Sequence, residues 1–140
     1  MKPFLDTNIL LYAVAQDDPR AEIADALLAA GGIISVQALN EFASVARRKL
    51  KMSWDEVHTA LDAFQSLCPD PVPLTLETHE QALQLAQKYG LNLYDALMAS
   101  AAILAGCPLM YSEDMQDGLE LERRLTIRNP FAAGAKPRSL

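Results

Sequence analysis

Phe4-Leu5-Asp6-Thr7-Asn8-Ile9-Leu10-Leu11-Tyr12 is the stretch on which the fold turns. Pro3 to Leu5 reads as a short apolar strand, after which a carboxylate, a hydroxyl and an amide follow in succession. Beyond Asn8 the apolar residues Ile9, Leu11, Tyr12 and Val14 suit a helix better than a continued strand. Asp6 therefore falls at the carboxyl end of the first strand, where the chain turns into a helix. Open α/β sheets place their ligands along that edge. Taken alone, the stretch favours a simpler role, with Asp6, Thr7 or Asn8 capping the helix. The acids elsewhere in the chain decide between the two.

A chain of 140 residues fits one domain with a real core. Its 51% hydrophobic and 21% charged residues are globular rather than disordered proportions. No apolar run approaches the roughly 20 residues of a membrane span, and the first apolar stretch is broken by Asp6 before it resembles a signal peptide. Cys68 and Cys107 lack metal-ligand spacing and read as reduced core residues of a cytoplasmic protein. A net charge of −6 argues against a nucleic-acid partner only on average. Four of the 12 basic residues are packed into Arg47, Arg48, Lys49 and Lys51, and five more lie between Arg123 and Arg138.

Outward from the opening stretch, strands and helices alternate. Asp17-Asp18-Pro19 opens a helix that Gly31-Gly32 stops, and Ile33 to Val36 is a second strand. A third helix runs from about Gln37 to Lys51, with Leu39, Phe42, Ala43, Ala46 and Leu50 on its apolar face. Ser53 and Glu56 form a capping box for a fourth helix, whose stripe of Trp54, Val57, Leu61, Phe64 and Cys68 reads as core. Val72 to Leu74 is a weak third strand, placed at an edge by its proline. A fifth helix ends at Tyr89 with Gly90 as a left-handed cap. The segment from Tyr94 to Ala105 is apolar nearly all round and reads as a buried helix. Pro108 to Tyr111 and Leu125 to Arg128 complete the strands. Residues 1–131 form the domain, and 132–140 read as a mobile tail. The pattern predicts a single-domain α/β/α sandwich around a parallel sheet.

That topology carries four acids to one rim. Asp6 ends the first strand, and Glu41 lies in the first turns of the helix leaving the second. Asp95 opens the buried helix that must deliver the chain to the start of the fourth strand. Ser112-Glu113-Asp114 follows that strand directly, with Asp117 near enough to be a fifth acid. Singly, each has an ordinary use as a solvated helix residue, a helix-start carboxylate or a turn former. Together they conflict, because like charges about 4 Å apart repel by roughly 4 kcal/mol at an effective dielectric near 20. A divalent cation resolves the conflict, and ligands that are all oxygen suit Mg²⁺ or Mn²⁺ rather than zinc. A cation held in this way can activate water and neutralise charge on a phosphodiester. Arg48 stands seven residues after Glu41 on the same helix face, where it could hold a flanking phosphate, with Arg47, Lys49 and Lys51 beside it. A solvated helix end explains those cations equally well.

In combination, Leu5-Asp6-Thr7-Asn8, Asn40-Glu41-Phe42, Tyr94-Asp95-Ala96-Leu97, Ser112-Glu113-Asp114-Met115 and Leu125 to Phe131 resemble the PIN-domain family. In size and layout the chain is similar to the VapC-type ribonuclease toxins of bacterial toxin–antitoxin pairs. The resemblance implies a five-stranded parallel sheet in the order 3-2-1-4-5 and Mg²⁺- or Mn²⁺-dependent endonuclease action on RNA. It makes Asp6, Glu41, Asp95 and Asp114 the catalytic metal carboxylates, and Asn8 and Ser112 residues that support them or touch substrate. It further implies a homodimer and a small VapB-like antitoxin that inserts a segment across the groove.

Other readings fit less well. A haloacid-dehalogenase-type phosphatase needs an aspartate where Asn8 stands. A response-regulator receiver needs its phosphoacceptor at the end of the third strand, where Leu74-Thr75 stands. The alternative of a different class is a non-catalytic PIN-like dimerisation or interaction module, which predicts no Mg²⁺-dependent activity.

Overall fold

In the computed structural model, which describes residues 1–132, the centre of the sheet is a strand of only two residues, β1 (Phe4–Leu5). Neither residue is exposed to solvent. Successive side chains on a strand point to opposite faces, so both faces of the sheet are covered at this point. The elements that follow are α1 (Thr7–Ala13), α2 (Arg20–Ala30), α3 (Val36–Arg48), α4 (Trp54–Leu67), α5 (Leu76–Tyr89) and α6 (Leu93–Leu104), then β2 (Leu109–Tyr111), β3 (Glu120–Leu121) and β4 (Leu125–Arg128). Helices α1 to α4 pack on one another, α5 packs on α6, and α6 lies against β2 and β4.

The hydrogen-bonded sheet runs in the order β1-β2-β4-β3, with β1, β2 and β4 parallel and β3 antiparallel to β4. On the far side of β1, Ile33 makes a single parallel bridge to Phe4, and Ser35 makes one to Val72. The succession Val72, Ile33–Ser35, β1, β2, β4 is the expected spatial order. The expectation of five parallel strands is corrected in two respects. The segments at 33–35 and 72 are isolated bridges rather than strands, and the added β3 makes the sheet mixed. Proline on either side of Val72 limits the ladder there. Gly32 is needed where the 33–35 segment meets β1, since a Cβ would stand 2.7 Å from Leu5 Cδ1 and 3.1 Å from the Pro3 carbonyl oxygen.

The helices behave largely as their periodicity requires. Residues Ala96 to Ile103 of α6 are all buried, Gly90 caps α5 in the left-handed region at φ 69°, and Ser53 and Glu56 close the capping box of α4. Phe64 of α4 meets Phe42 of α3 edge-on, with ring centroids 4.9 Å apart. The expectation that Trp54 belongs to this stripe is wrong: Trp54 is 59% exposed. Helix α3 ends at Arg48 rather than Lys51, and Lys51 takes φ 56° to turn the chain into α4. Met52 instead packs against the core, leaving Leu50 and Trp54 on the surface. Cys68 and Cys107 are buried free thiols. Apart from Ala132, the tail expected at 132–140 lies outside the described residues. No helix among the described residues is long and apolar enough to cross a membrane.

Candidate metal site

β1 and β2 are neighbours, yet the chain leaves β1 towards the 33–35 segment and leaves β2 towards β4. Their carboxyl ends thus form the reversal point at which open sheets leave a crevice. Asp6 stands just past β1, its backbone N–H donating to the Tyr111 carbonyl at 3.1 Å. It caps α1 and is almost fully buried, with one carboxylate oxygen accepting from the Thr7 N–H at 2.7 Å and the other from Ser112 Oγ at 2.8 Å. Burial pushes its pKa up to about 6, opposed by those two hydrogen bonds and reinforced by the charges of Asp95 and Glu41.

Glu41, half-buried on α3, accepts from Thr7 Oγ1 at 3.1 Å and from Gln37 Nε2 at 2.7 Å. Asp95, in the first turn of α6, accepts from Asn92 Nδ2 at 2.8 Å, while the Asp95 N–H donates to the capping Asn92 side chain at 2.9 Å. Burial raises the pKa of Asp95, and the charges of Asp114 and Glu41 raise it further. Asp114 is exposed beyond β2 and accepts from Asn8 Nδ2 at 2.9 Å.

Asp6 feels the charges of Asp95 and Glu41, and Asp95 those of Asp114 and Glu41, so Asp95 links the buried acid to the exposed one. Each is oriented by a neutral donor. Among the described residues the ion pairs are Arg20–Asp18, Arg20–Glu113 and Lys88–Glu122, so no Lys or Arg side chain neutralises any of the four. Nor do three or more His, Cys, Asp or Glu side chains among the described residues stand close enough together to hold a metal ion between them. The donor set is still what a hard cation takes: oxygen only, held in orientation but not in charge balance. Asp95 and Asp114 each commit one carboxylate oxygen to an amide among the described residues, and the second oxygen of each can serve a cation. What Asp6, Glu41, Asp95 and Asp114 offer is the all-oxygen donor chemistry that suits Mg²⁺ or Mn²⁺ rather than a softer metal.

The remaining expected residues are distributed differently. Asn8 and Ser112 stand on the acids, as described. Asp117 accepts from the Asn129 N–H at 3.0 Å, which ties the loop after β2 to the end of β4 and gives it a task apart from the four acids. Arg47 turns back on its own loop, with its guanidinium 4.5 Å from the Trp54 ring centroid and donating to the Met52 carbonyl at 2.9 Å. Arg48, Lys49 and Lys51 are exposed at the carboxyl end of α3. Seven residues of helix separate Arg48 from Glu41, about 10 Å along the axis.

Some residues of the site are not singled out by the sequence reading. Gln37 lies one helical turn before Glu41, the spacing at which an amide meets a carboxylate. Asn92 stands three residues before Asp95, a capping-box spacing with an unusual pair of residues. Nothing local in the sequence marks the association of Tyr12, Asp18, Arg20 and Glu113. Arg20 pairs with Asp18 at 2.8 Å and Glu113 at 3.2 Å and lies 3.9 Å from the Tyr12 ring centroid. The Tyr12 hydroxyl donates to Glu113, its own pKa pushed up to about 12 by burial and by that carboxylate. Glu113, between Ser112 and Asp114, is thereby engaged by partners that none of the other four acids shares.

The sequence matches the PIN domain family over residues 4–117, a span that includes Asp6, Glu41, Asp95 and Asp114. The chain belongs to that family. No curated protein matches it significantly. Its fold is similar to a toxin–antitoxin complex from Klebsiella pneumoniae, at TM-score 0.70 and 20% identity, covering 92% of this chain and 98% of that one. It is also similar to VapBC2 from Rickettsia felis bound to a promoter DNA fragment, at TM-score 0.64 and 24% identity, again covering 92% and 98%. A third similar structure is the sarcin–ricin-loop-cleaving toxin VapC20 of Mycobacterium tuberculosis, at TM-score 0.57 and 20% identity, covering 79% and 88%.

Proposed function

We propose that this protein is a Mg²⁺- or Mn²⁺-dependent endoribonuclease and the toxin of a VapBC-type toxin–antitoxin pair. The observation that carries the reading is the group of four carboxylates from four segments, each oriented by a neutral donor and none paired with a Lys or Arg among the described residues. Membership of the PIN domain family supports it, as does likeness in fold to a toxin–antitoxin complex and to a sarcin–ricin-loop-cleaving toxin. A small VapB-like antitoxin, a homodimeric state and a cytoplasmic location complete the proposal.

In this reading Asp6, Glu41, Asp95 and Asp114 hold the cation. The bound cation supplies a water of lowered pKa and neutralises charge on the scissile phosphate. Ser112 and the Thr7 backbone fix both oxygens of Asp6, so that this buried carboxylate presents one orientation. Thr7 and Gln37 do the same for Glu41. Asn8 and Asn92 hold Asp114 and Asp95 without contributing charge that would compete with a cation. The test is RNA cleavage by the purified chain with Mg²⁺ or with chelator, against Asp6→Asn and Asp95→Asn. Metal-dependent cleavage lost in both variants is expected. Wild-type cleavage by either variant in a metal-replete assay removes that residue from the site, and no cleavage by the wild type across varied RNAs removes the activity.

A further inference from the structure

Trp54 has no role in the acid site and none in the core. It is the only tryptophan of the chain, and 59% exposure is high for a residue that ordinarily buries most of its large apolar surface. Its position is defined by neighbours on two sides. It is the first residue of α4, behind a closed capping box, and the Arg47 guanidinium lies against its ring at 4.5 Å. Arg47 is itself anchored by its hydrogen bond to the Met52 carbonyl. Between Arg47 and Trp54 in sequence come Arg48, Lys49 and Lys51, all exposed, so residues 47–56 hold four cations against the two carboxylates of Asp55 and Glu56. On a chain of net charge −6 that local excess is a reversal of sign.

We infer that Trp54 is a stacking platform for a base of single-stranded RNA, with Arg47 holding the ring and Arg48, Lys49 and Lys51 contacting the flanking phosphates. An ordered aromatic face within a basic patch is the arrangement that binds single strands without reading sequence, because every base has a π-face and every nucleotide a charge. Guanidinium stacking orders the indole before the strand arrives, so less side-chain freedom is lost on binding. The patch lies along α3 from Glu41 and would engage RNA to one side of the cut. This inference rests on the ribonuclease reading for its choice of RNA, but the stacking itself is measurable without cleavage.

Because Trp54 is the sole tryptophan, its fluorescence reports the contact directly. The full chain carrying Asp6→Asn is titrated with oligoadenylate in a salt series, while metal-dependent cleavage by the wild type is measured in parallel. Saturable quenching that weakens with salt is expected. On the same background Trp54→Ala should bind about tenfold more weakly and Trp54→Phe within about threefold, with melting temperatures unchanged. Binding with unaltered emission, or undiminished binding by Trp54→Ala, overturns the platform while leaving a cleaving enzyme intact. A concentration-dependent blue shift without RNA also overturns it, by showing that Trp54 is covered by a second copy. Loss of both RNA binding and wild-type cleavage overturns the platform together with the ribonuclease reading.

Discussion

Two groups of acids stand side by side at the carboxyl edge of the sheet, and they are treated in opposite ways. Asp18 and Glu113 share Arg20, which meets them at 2.8 Å and 3.2 Å, with the Tyr12 ring beneath the guanidinium and Phe131 edge-on to Tyr12 at 5.0 Å. Asp6, Glu41, Asp95 and Asp114 receive hydroxyls, amides and one backbone N–H, with no cation among the described residues. The boundary between the two groups falls between consecutive residues, Glu113 and Asp114. A chain that could neutralise one acid of that turn with arginine leaves its neighbour to an asparagine. On the proposed reading, the second group keeps its charge for a cation rather than for folding.

The largest effect that tests this difference is catalytic. Asp6→Asn or Asp95→Asn should reduce metal-dependent RNA cleavage by on the order of a thousandfold or more, since an activated water and phosphate neutralisation are each worth several kcal/mol. Circular dichroism should show an unchanged fold. The same chemical change in the neutralised group, Glu113→Gln, should leave most of the activity in place. Comparable losses in both groups would erase the distinction.

Stability should separate the groups next. Asp6 binds its proton more tightly in the folded chain, where its pKa is about 6, than in the unfolded chain, near 3.8. Folding is therefore favoured by acid at this residue. Its contribution is most favourable below about pH 4 and is lost as pH rises through 6, by on the order of 2–3 kcal/mol. Without metal, Asp6→Asn should thus be the more stable protein at pH 7 and lose that advantage near pH 4, as denaturant titrations at the two pH values would show. An Asp6→Asn variant less stable than wild type at pH 7 would mean that the carboxylate is already neutralised.

In the neutralised group the sign should reverse. Arg20→Ala strands Glu113 and Asp18 and is expected to lower the melting temperature slightly, given the exposure of these side chains. Lysine should restore only part of this, because it cannot meet Asp18 through two nitrogens as Arg20 does. A thermal melt of the two variants decides it. The smallest effect lies at the basic patch. Arg47→Ala/Arg48→Ala should lower the slope of log affinity against log salt by about 0.7 per lost phosphate contact on single-stranded RNA. An unchanged slope would move the RNA path elsewhere, with Arg123, Arg124 and Arg128 as the next candidates.

Most of this architecture is legible in the sequence because it depends on periodicity and punctuation. The turn at Asp6, the buried Ala96–Ile103 face, the Gly90 cap and the Ser53–Glu56 box are each written within a few residues. The convergence of the four acids follows from the alternation of strands and helices. What escapes local reading is tertiary. Trp54 sits at a helical spacing that says core, but the helix before it stops at Arg48, and the turn through Lys51 hands its place to Met52. Whether a run of β-branched residues becomes a ladder or a single bridge, as at Ile33 and Ser35, depends on partners far away in sequence. Glu113 and Asp114 are adjacent acids with nothing local to divide them. Only the long-range approach of Arg20 and Tyr12 to one, and Asn8 to the other, assigns them different tasks.

The central claim, that the unneutralised acids are there to hold a divalent cation, is tested most directly by calorimetry. Melting curves of wild type and Asp6→Asn are recorded at pH 7 with chelator and with millimolar Mg²⁺ or Mn²⁺. The account predicts a metal-induced rise in the wild-type melting temperature that is small or absent in Asp6→Asn, because a cation binds only the folded carboxylates. An unshifted wild type, or an equal shift in both proteins, would contradict it.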